Sequence, residues 1–529
     1  MMNDPAGTGR QPKAGFTRWL GRIAGAAAVL SGIGVSNAHA DAVLLWNNEM
    51  LSVTRQTSAL MVAGPPEVAR EIAIIGTAMS DAVNAASGSP YASYAYTGGP
   101  VSGASAEAAA LSAGYQAMYS IFSNPVWTGT GGDANLINNT ILPQINATYN
   151  SALAALGSSA AVTSGVNLGI AAANAIIANR ANDGAIPAII DGLTPYVPPG
   201  SGTVPGVYVP PSATGGRPAM FPTWGTVTPF GVTSTQGQAI KSATAINLPS
   251  LDSAGYAAAL LRTECLGSAP GTTLSPATQS ACSAAGYTPR TTEQLNAALF
   301  WNDPGGTLQP PGHWLEIAST LMQSQNLDLL QQARLTSLLG MALTDAGIYA
   351  WDVKYDVNLW RPNTAYAACA TDTAGGTVDW NPYFTTCDTS WTSAIATPPH
   401  PDYVAGHPAF SGAAATVLEG FFGVDGLSFC STSDPYVNGS LGSVDAITMC
   451  FDSISSASNG PLGSTLSRIY GGIHTSYAVD DAEALGNAIG QQILTNLEIS
   501  PIPEPVTLAI LGVGAAAVAG LRQRRRRHA

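Results

Sequence analysis

Charge is the scarcest property of this chain: Asp, Glu, Lys and Arg make up only 10% of its 529 residues, and Lys and Arg together number 20. Four of those basic residues fall in 1–40 and five in 501–529, which leaves residues 41–500 with 11 basic against 31 acidic residues, a formal balance of −20. Such a surface repels phosphate backbones and anionic headgroups, so no nucleic acid is expected as a partner. Any anion bound by this core needs a dedicated local site. Aromatic residues are also few, at 7%, whereas 46% of the chain is hydrophobic and it holds 57 Gly and 36 Pro. That balance describes a globular protein rich in small residues and long loops, and it excludes a disordered chain. No repeat of fixed period stands out. Six cysteines are present without a C-x-x-C pair, so neither zinc nor dithiol redox spacing is on offer.

The two ends read as addresses. Basic residues up to Arg22, an apolar stretch from Ile23 to Val35 and the small-residue end Ala38-His39-Ala40 predict an export signal over 1–40. An even number of cysteines in an exported chain favours disulfides, and pairing of neighbours (Cys265 with Cys282, Cys369 with Cys387, Cys430 with Cys450) is expected. Pro503-Glu504-Pro505, an apolar run from Val506 to Leu521 and a tail with Arg522 and Arg524 to Arg527 close the chain. This tripartite pattern over 501–529 resembles the PEP-CTERM sorting signal of Gram-negative bacteria. The resemblance implies an exosortase-type processing enzyme as partner and a final location in the periplasm, at the cell surface or in the extracellular matrix. A membrane is then met only through this segment before processing; a plain C-terminal anchor is the simpler alternative.

Between the ends, apolar residues recur with helical period over Pro66 to Ala86, Ala104 to Ile121, Val162 to Asn182, Gln294 to Trp301, His313 to Gln323, Leu327 to Trp351, Pro408 to Phe422 and Asp481 to Leu497. An all-α bundle is the expected fold for 41–500, taken as one unit. Asp191 to Thr235 reads as a long irregular excursion, and 370–398 and 425–460 read as loops.

Three of the 11 core cations fall in short strings that carry chemistry. Lys354 and Arg361 lie seven residues apart at the end of a helical pattern, so two turns would put both on one face: an anion site, or a solvated charge pair. In His400-Pro401-Asp402-Tyr403-Val404-Ala405-Gly406-His407-Pro408, Pro408 suits the first residue of a helix, which places Gly406 and His407 at its electropositive end. An oxyanion can approach Gly406 closely there, and His407 can exchange protons or simply cap the helix. In Ser467-Arg468-Ile469-Tyr470-Gly471-Gly472-Ile473-His474, the Arg468 fork can grip two oxygens while His474 offers a metal ligand or a nucleophile. Asp480 and Asp481 follow as candidates to orient Arg468 or His474.

Taken in order, Lys354, Arg361-Pro362, Gly406-His407, Ser467-Arg468, Gly472 and His474 resemble the signature of the vanadium haloperoxidase and type-2 phosphatidic acid phosphatase superfamily. Trp46-Asn47, Pro65 to Ala85 and Pro310-Pro311-Gly312-His313-Trp314 add likeness to bacterial vanadium-dependent haloperoxidase-like proteins; His313 itself reads as structural. The resemblance implies a helical-bundle fold of the vanadium chloroperoxidase type, with two four-helix bundles, long irregular loops and a pocket at the end of one bundle. It implies vanadate as cofactor, with phosphate as a possible substitute. His474 would be the axial ligand of the metal, Lys354, Arg361 and Arg468 the cations on the oxygens, the Gly406 N–H a further donor and His407 the acid-base group. The implied reaction oxidises a halide with hydrogen peroxide. His400 occupies the position where algal bromoperoxidases carry His and the fungal chloroperoxidase carries Phe, which tilts the expected halide to bromide or iodide. The organic acceptor is not specified.

One position departs from the pattern. Family members read Pro-Ser-Gly-His where this chain has Val404-Ala405-Gly406-His407, so a hydroxyl that contacts an oxyanion oxygen is missing. A charge-assisted hydrogen bond of that kind is worth roughly 1.5–3 kcal/mol. Two other functions stay open on the residues alone: an acid phosphatase that forms a phosphohistidine at His474, and an exported surface or matrix protein with a degenerate pocket.

Overall fold

The computed structural model describes residues 41–199, 204–210, 218–371, 380–386, 388, 391–438 and 441–497. The export and sorting segments and the Cys369–Cys387 pairing lie outside the described residues. Helix starts are set where side chains satisfy the free N–H groups of the first turn. Asp41 caps α1 (Ala42–Thr57), Pro65 and Pro66 open α2 (Pro65–Ala86), and Ser105 and Ser159 cap α3 (Ala106–Phe122) and α4 (Ala160–Arg180). These four pack together as the first helical bundle. Next come α5 (Ala254–Gly267) and α6 (Thr292–Phe300), then α7 (Gln309–Ser324) and α8 (Leu329–Val357). Beyond them lie α9 (Pro362–Thr371), α10 (Gly406–Phe422), α11 (Ser464–Tyr470) and α12 (Ser476–Asn496). Helices α7, α8, α10 and α12 form the second bundle, with the pocket at one end.

The bundles meet along α2 and α8, and the approach is close enough to require glycine. A Cβ on Gly340 would stand 2.6 Å from the Ala73 backbone, and one on Gly76 would stand 2.9 Å from the Thr336 backbone. One hydrophobic core runs through both bundles. Its largest members keep their polar atoms satisfied: Trp46 donates to the Leu111 carbonyl and Trp314 to Ser411 Oγ, each at 2.9 Å.

Three expectations are corrected. First, α8 does not stop near Trp351 but runs to Val357, because Asn358 in the left-handed conformation (φ 51°) ends it and donates its N–H back to the Lys354 carbonyl. Arg361 therefore lies beyond the helix, so it and Lys354 do not share a helical face. Second, α10 begins at Gly406, two residues before Pro408, whose missing N–H costs nothing within that first turn. Third, 425–460 is not all loop. Strands β1 (Phe429–Thr432) and β4 (Thr448–Phe451) pair antiparallel, as do β2 (Tyr436–Asn438) and β3 (Gly442–Val444). The Cys430–Cys450 disulfide staples β1 to β4, and Cys265–Cys282 ties α5 to the segment after it, as the sequence suggested.

Candidate active site

All seven residues singled out from the sequence come together at the end of the second bundle. Lys354, on the last turn of α8, is fully buried and donates to the carbonyls of Pro401 (2.8 Å) and Asp402 (3.3 Å). Arg361, 1% exposed, donates Nε–H to the His400 carbonyl and one terminal N–H to the Ile473 carbonyl, both at 2.7 Å. Arg468, with no exposure, is held by the Trp301 carbonyl at 2.6 Å and by Ser467 Oγ at 2.9 Å. Backbone carbonyls thus aim the cations without neutralising them. Among the described residues, none of the three lies within ion-pair distance of a carboxylate. Burial pushes both arginines down to about 10, and burial together with Arg361 holds Lys354 well below the ordinary lysine range. Three buried charges left in this state call for an anion.

The histidines answer to the same cations. A guanidinium only donates, so the 3.0 Å contact from Arg361 makes His474 Nε2 an acceptor and puts the ring proton on Nδ1. There it meets Asp402 Oδ1 at 2.6 Å, while Thr475 Oγ1 donates to the other carboxylate oxygen at 2.9 Å. Burial, Arg361 and Lys354 keep His474 neutral by lowering its pKa well below the usual value. Its Nε2 lone pair is therefore presented to the pocket, which suits a metal ligand or a nucleophile. His407 follows the same logic: Arg468 approaches its Nε2 at 3.4 Å, and burial and Arg468 hold it neutral, against a hydrogen bond to the Asn302 backbone. His400, buried, accepts at Nδ1 from Arg361 at 2.9 Å, with its ring 5.1 Å from that of Trp351.

Gly406 is the first residue of α10, and a side chain there would press on the Trp351 ring, 3.2 Å from its Cβ. Ala405 is the cap residue of that helix and supplies no side-chain acceptor. The missing hydroxyl noted in the sequence thus falls at the helix end that faces the cations. Beyond His400, Gly406 and His407 opens a cavity of about 230 Å³, lined among others by Met220, Trp351, Pro398, Pro399 and Phe410.

The sequence did not point to Asp402 as the partner of His474. Asp481 instead bonds Tyr403 and Asn247, and no hydrogen bond links Asp480 or Asp481 to Arg468 or His474 among the described residues. An acidic residue inside an anion site runs against the charge pattern, so only the fold reveals its role. The donor set also fits an oxyanion better than a bare cation, since among the described residues no three His, Cys, Asp or Glu side chains gather as a metal cluster. One histidine lone pair, three cations and the free N–H groups of a helix end are the groups a tetrahedral oxyanion of a metal requires.

The fold around this pocket is similar to that of known proteins. Residues 334–499 match the family model of the VCPO second helical-bundle domain, a span that holds Lys354, Arg361, His400, Asp402, Gly406, His407, Arg468 and His474. The chain is 26% identical over 149 residues to the vanadium chloroperoxidase of Curvularia inaequalis; the match covers 26% of this chain and 24% of that protein, about a quarter of its length. A solved bacterial vanadium-dependent iodoperoxidase superposes with a TM-score of 0.64 at 21% identity, covering 88% of this chain and 98% of that one. A bacterial vanadium-dependent chloroperoxidase in its holo form superposes with a TM-score of 0.56 at 16% identity, covering 85% and 95%. The fold is that of the vanadium haloperoxidases.

Proposed function

We propose that this protein is a vanadate-dependent haloperoxidase that oxidises bromide or iodide with hydrogen peroxide. The observation that carries the proposal is that Lys354, Arg361 and Arg468, buried and free of ion pairs among the described residues, act together on His474, whose Nε2 meets Arg361 and whose Nδ1 is held by Asp402. Vanadate, when bound, supplies a Lewis acid that activates peroxide without a change in its own oxidation state. His474 Nε2 would hold the metal, and Lys354, Arg361, Arg468 and the Gly406 N–H would hold the oxygens. His407, neutral and with Nε2 turned to Arg468, is placed to take a proton from incoming hydrogen peroxide and return it to the water that leaves. Lys354 keeps one N–H beyond its two carbonyl bonds, available to polarise the peroxide oxygen. Halide attack on that oxygen completes the balance: peroxide, halide and one proton give hypohalous acid and water. His400 beside Arg361 at the cavity supports bromide or iodide as the halide. Export to the periplasm, cell surface or matrix is part of the same proposal.

The test is to assay the full chain, loaded with orthovanadate or with phosphate, for peroxide-dependent oxidation of bromide and iodide beside hydrolysis of a phosphate monoester. Halide oxidation that needs vanadate is the expected outcome. Phosphate-ester hydrolysis that vanadate inhibits, or the absence of both activities, would overturn it.

A further inference from the structure

Among the described residues, His313 is the histidine that the oxyanion pocket does not use. It stands on α7 with no exposure, its ring 4.8 Å from those of both Phe300 and Trp301. Nδ1 lies 3.1 Å from Asp303 Oδ2, and Nε2 lies 3.1 Å from Ser431 Oγ on β1. The order Asp, His, Ser imitates a nucleophilic triad, but the hydroxyl hydrogen of Ser431 is spent on Glu316 Oε2 at 3.0 Å, and the residue is buried. Ser431 therefore accepts from His313, and both ring nitrogens donate. Burial opposes that second proton, yet the Asp303 carboxylate outweighs it and raises the pKa of His313.

What Asp303 belongs to gives this pair its consequence. It sits in the segment between α6 and α7, at φ 43°, and lines the cavity above His407. The two residues before it border the pocket: the Trp301 carbonyl receives Arg468 at 2.6 Å, and the Asn302 backbone lies near enough to His407 to oppose the lowering of its pKa. Three successive residues thus face Arg468, His407 and His313 in turn. The far end of the segment is pinned independently, with Gly306 N–H on Ser58 Oγ at 2.9 Å and Leu308 N–H on Asp434 at 3.0 Å. At the Trp301–Asp303 end, Trp301 Nε1–H donates to the Leu462 carbonyl at 3.2 Å and the Asn302 N–H to the Leu299 carbonyl at 3.3 Å, while the Asp303 side chain is tied by His313.

We propose that His313 is a positioning residue: through Asp303 it fixes the Trp301-Asn302-Asp303 segment that sets the aim of Arg468 and His407. The inference rests on the function proposed above only for its catalytic consequence. Groups that orient the primary ligands of a site typically matter ten- to a hundredfold when removed.

Three variants of the full chain test it. His313→Phe keeps the ring between Phe300 and Trp301 and removes both hydrogen bonds. His313→Asn keeps a donor near the Nδ1 position, toward Asp303. His313→Gln keeps one near Nε2, toward Ser431. Three readouts are taken: the ring ¹⁵N shifts of His407 without oxyanion, the affinity for inorganic phosphate by calorimetry, and kcat and KM for bromide with vanadate and peroxide. Phe and Gln are expected to change the His407 shifts, weaken phosphate about tenfold and lower kcat about ten- to a hundredfold at little-changed KM, with Asn close to wild type. Wild-type shifts and phosphate affinity in His313→Phe, or an Asn variant as impaired as Gln, would overturn the proposal. If His313→Phe fails to fold, the Asn and Gln pair decides the question alone. A wild-type chain without halide oxidation removes the function proposed above, while the ¹⁵N and phosphate readouts still judge His313.

Discussion

Replacing Asp402 by Asn separates two effects that act on the pocket with opposite sign. The carboxylate accepts His474 Nδ1–H at 2.6 Å and Thr475 Oγ1–H at 2.9 Å, fully buried. Losing its charge removes a nearby negative field from Lys354 and Arg361, so any bound anion should be held at least as tightly as before. Losing the charged acceptor also weakens the bond that keeps the His474 proton on Nδ1, and with it the supply of an Nε2 lone pair. A charge-assisted hydrogen bond is worth roughly 1.5–3 kcal/mol, or about ten- to a hundredfold in affinity. Phosphate needs only the cations, whereas vanadate also needs the lone pair. Asp402→Asn is therefore expected to weaken vanadate about ten- to a hundredfold while phosphate binding is unchanged or tighter. Calorimetric titration of both anions into wild type and variant measures the ratio. Equal shifts for both anions, in either direction, would refute the assignment of His474 as a ligand fixed by Asp402.

Ala405→Ser restores a hydroxyl at the cap of α10, and should tighten oxyanion binding about tenfold and add about 1 kcal/mol of stability, read by calorimetry and urea denaturation. Gly340→Ala would set a Cβ 2.6 Å from the Ala73 backbone where the bundles meet; a loss of about 1–3 kcal/mol or more is expected in the same urea assay. Glu264, buried on α5, has its pKa raised from 4.5 to about 8 by burial and then by Asp388, against a hydrogen bond from Thr386. The folded state therefore holds this proton more tightly than the unfolded chain. Its contribution to stability is full below pH 4.5 and is lost as pH rises to about 8, so the urea midpoint should fall across that window and flatten in Glu264→Gln. An identical pH slope in the two proteins would contradict this.

The parts of the site legible in the sequence were those where residue type alone carries chemistry. Cations are so few between 41 and 500 that three of them in ordered strings marked an anion pocket, and Gly406 ahead of an apolar period marked a helix end. What escaped was set by tertiary geometry. The pairing of Lys354 with Arg361 depends on a left-handed turn at Asn358, not on helical spacing. Asp402 is one carboxylate in an acidic chain until the fold lays it against His474. The strands after Phe422 are short and half exposed, with no sustained alternation, so pattern could not separate them from loop. His313 looked structural, and its packing agrees; its reach to the pocket passes through a backbone segment that no sequence motif encodes.

The central claim is that His474 Nε2 is the protein ligand of vanadium in a pocket of three buried cations. X-ray absorption at the vanadium edge on the vanadate-loaded full chain, beside His474→Ala, tests it directly. A single imidazole nitrogen among oxygen neighbours in the wild type, absent from the variant together with peroxide-dependent halide oxidation, is the expected result. An all-oxygen environment in both proteins, or unchanged turnover in the variant, would contradict it.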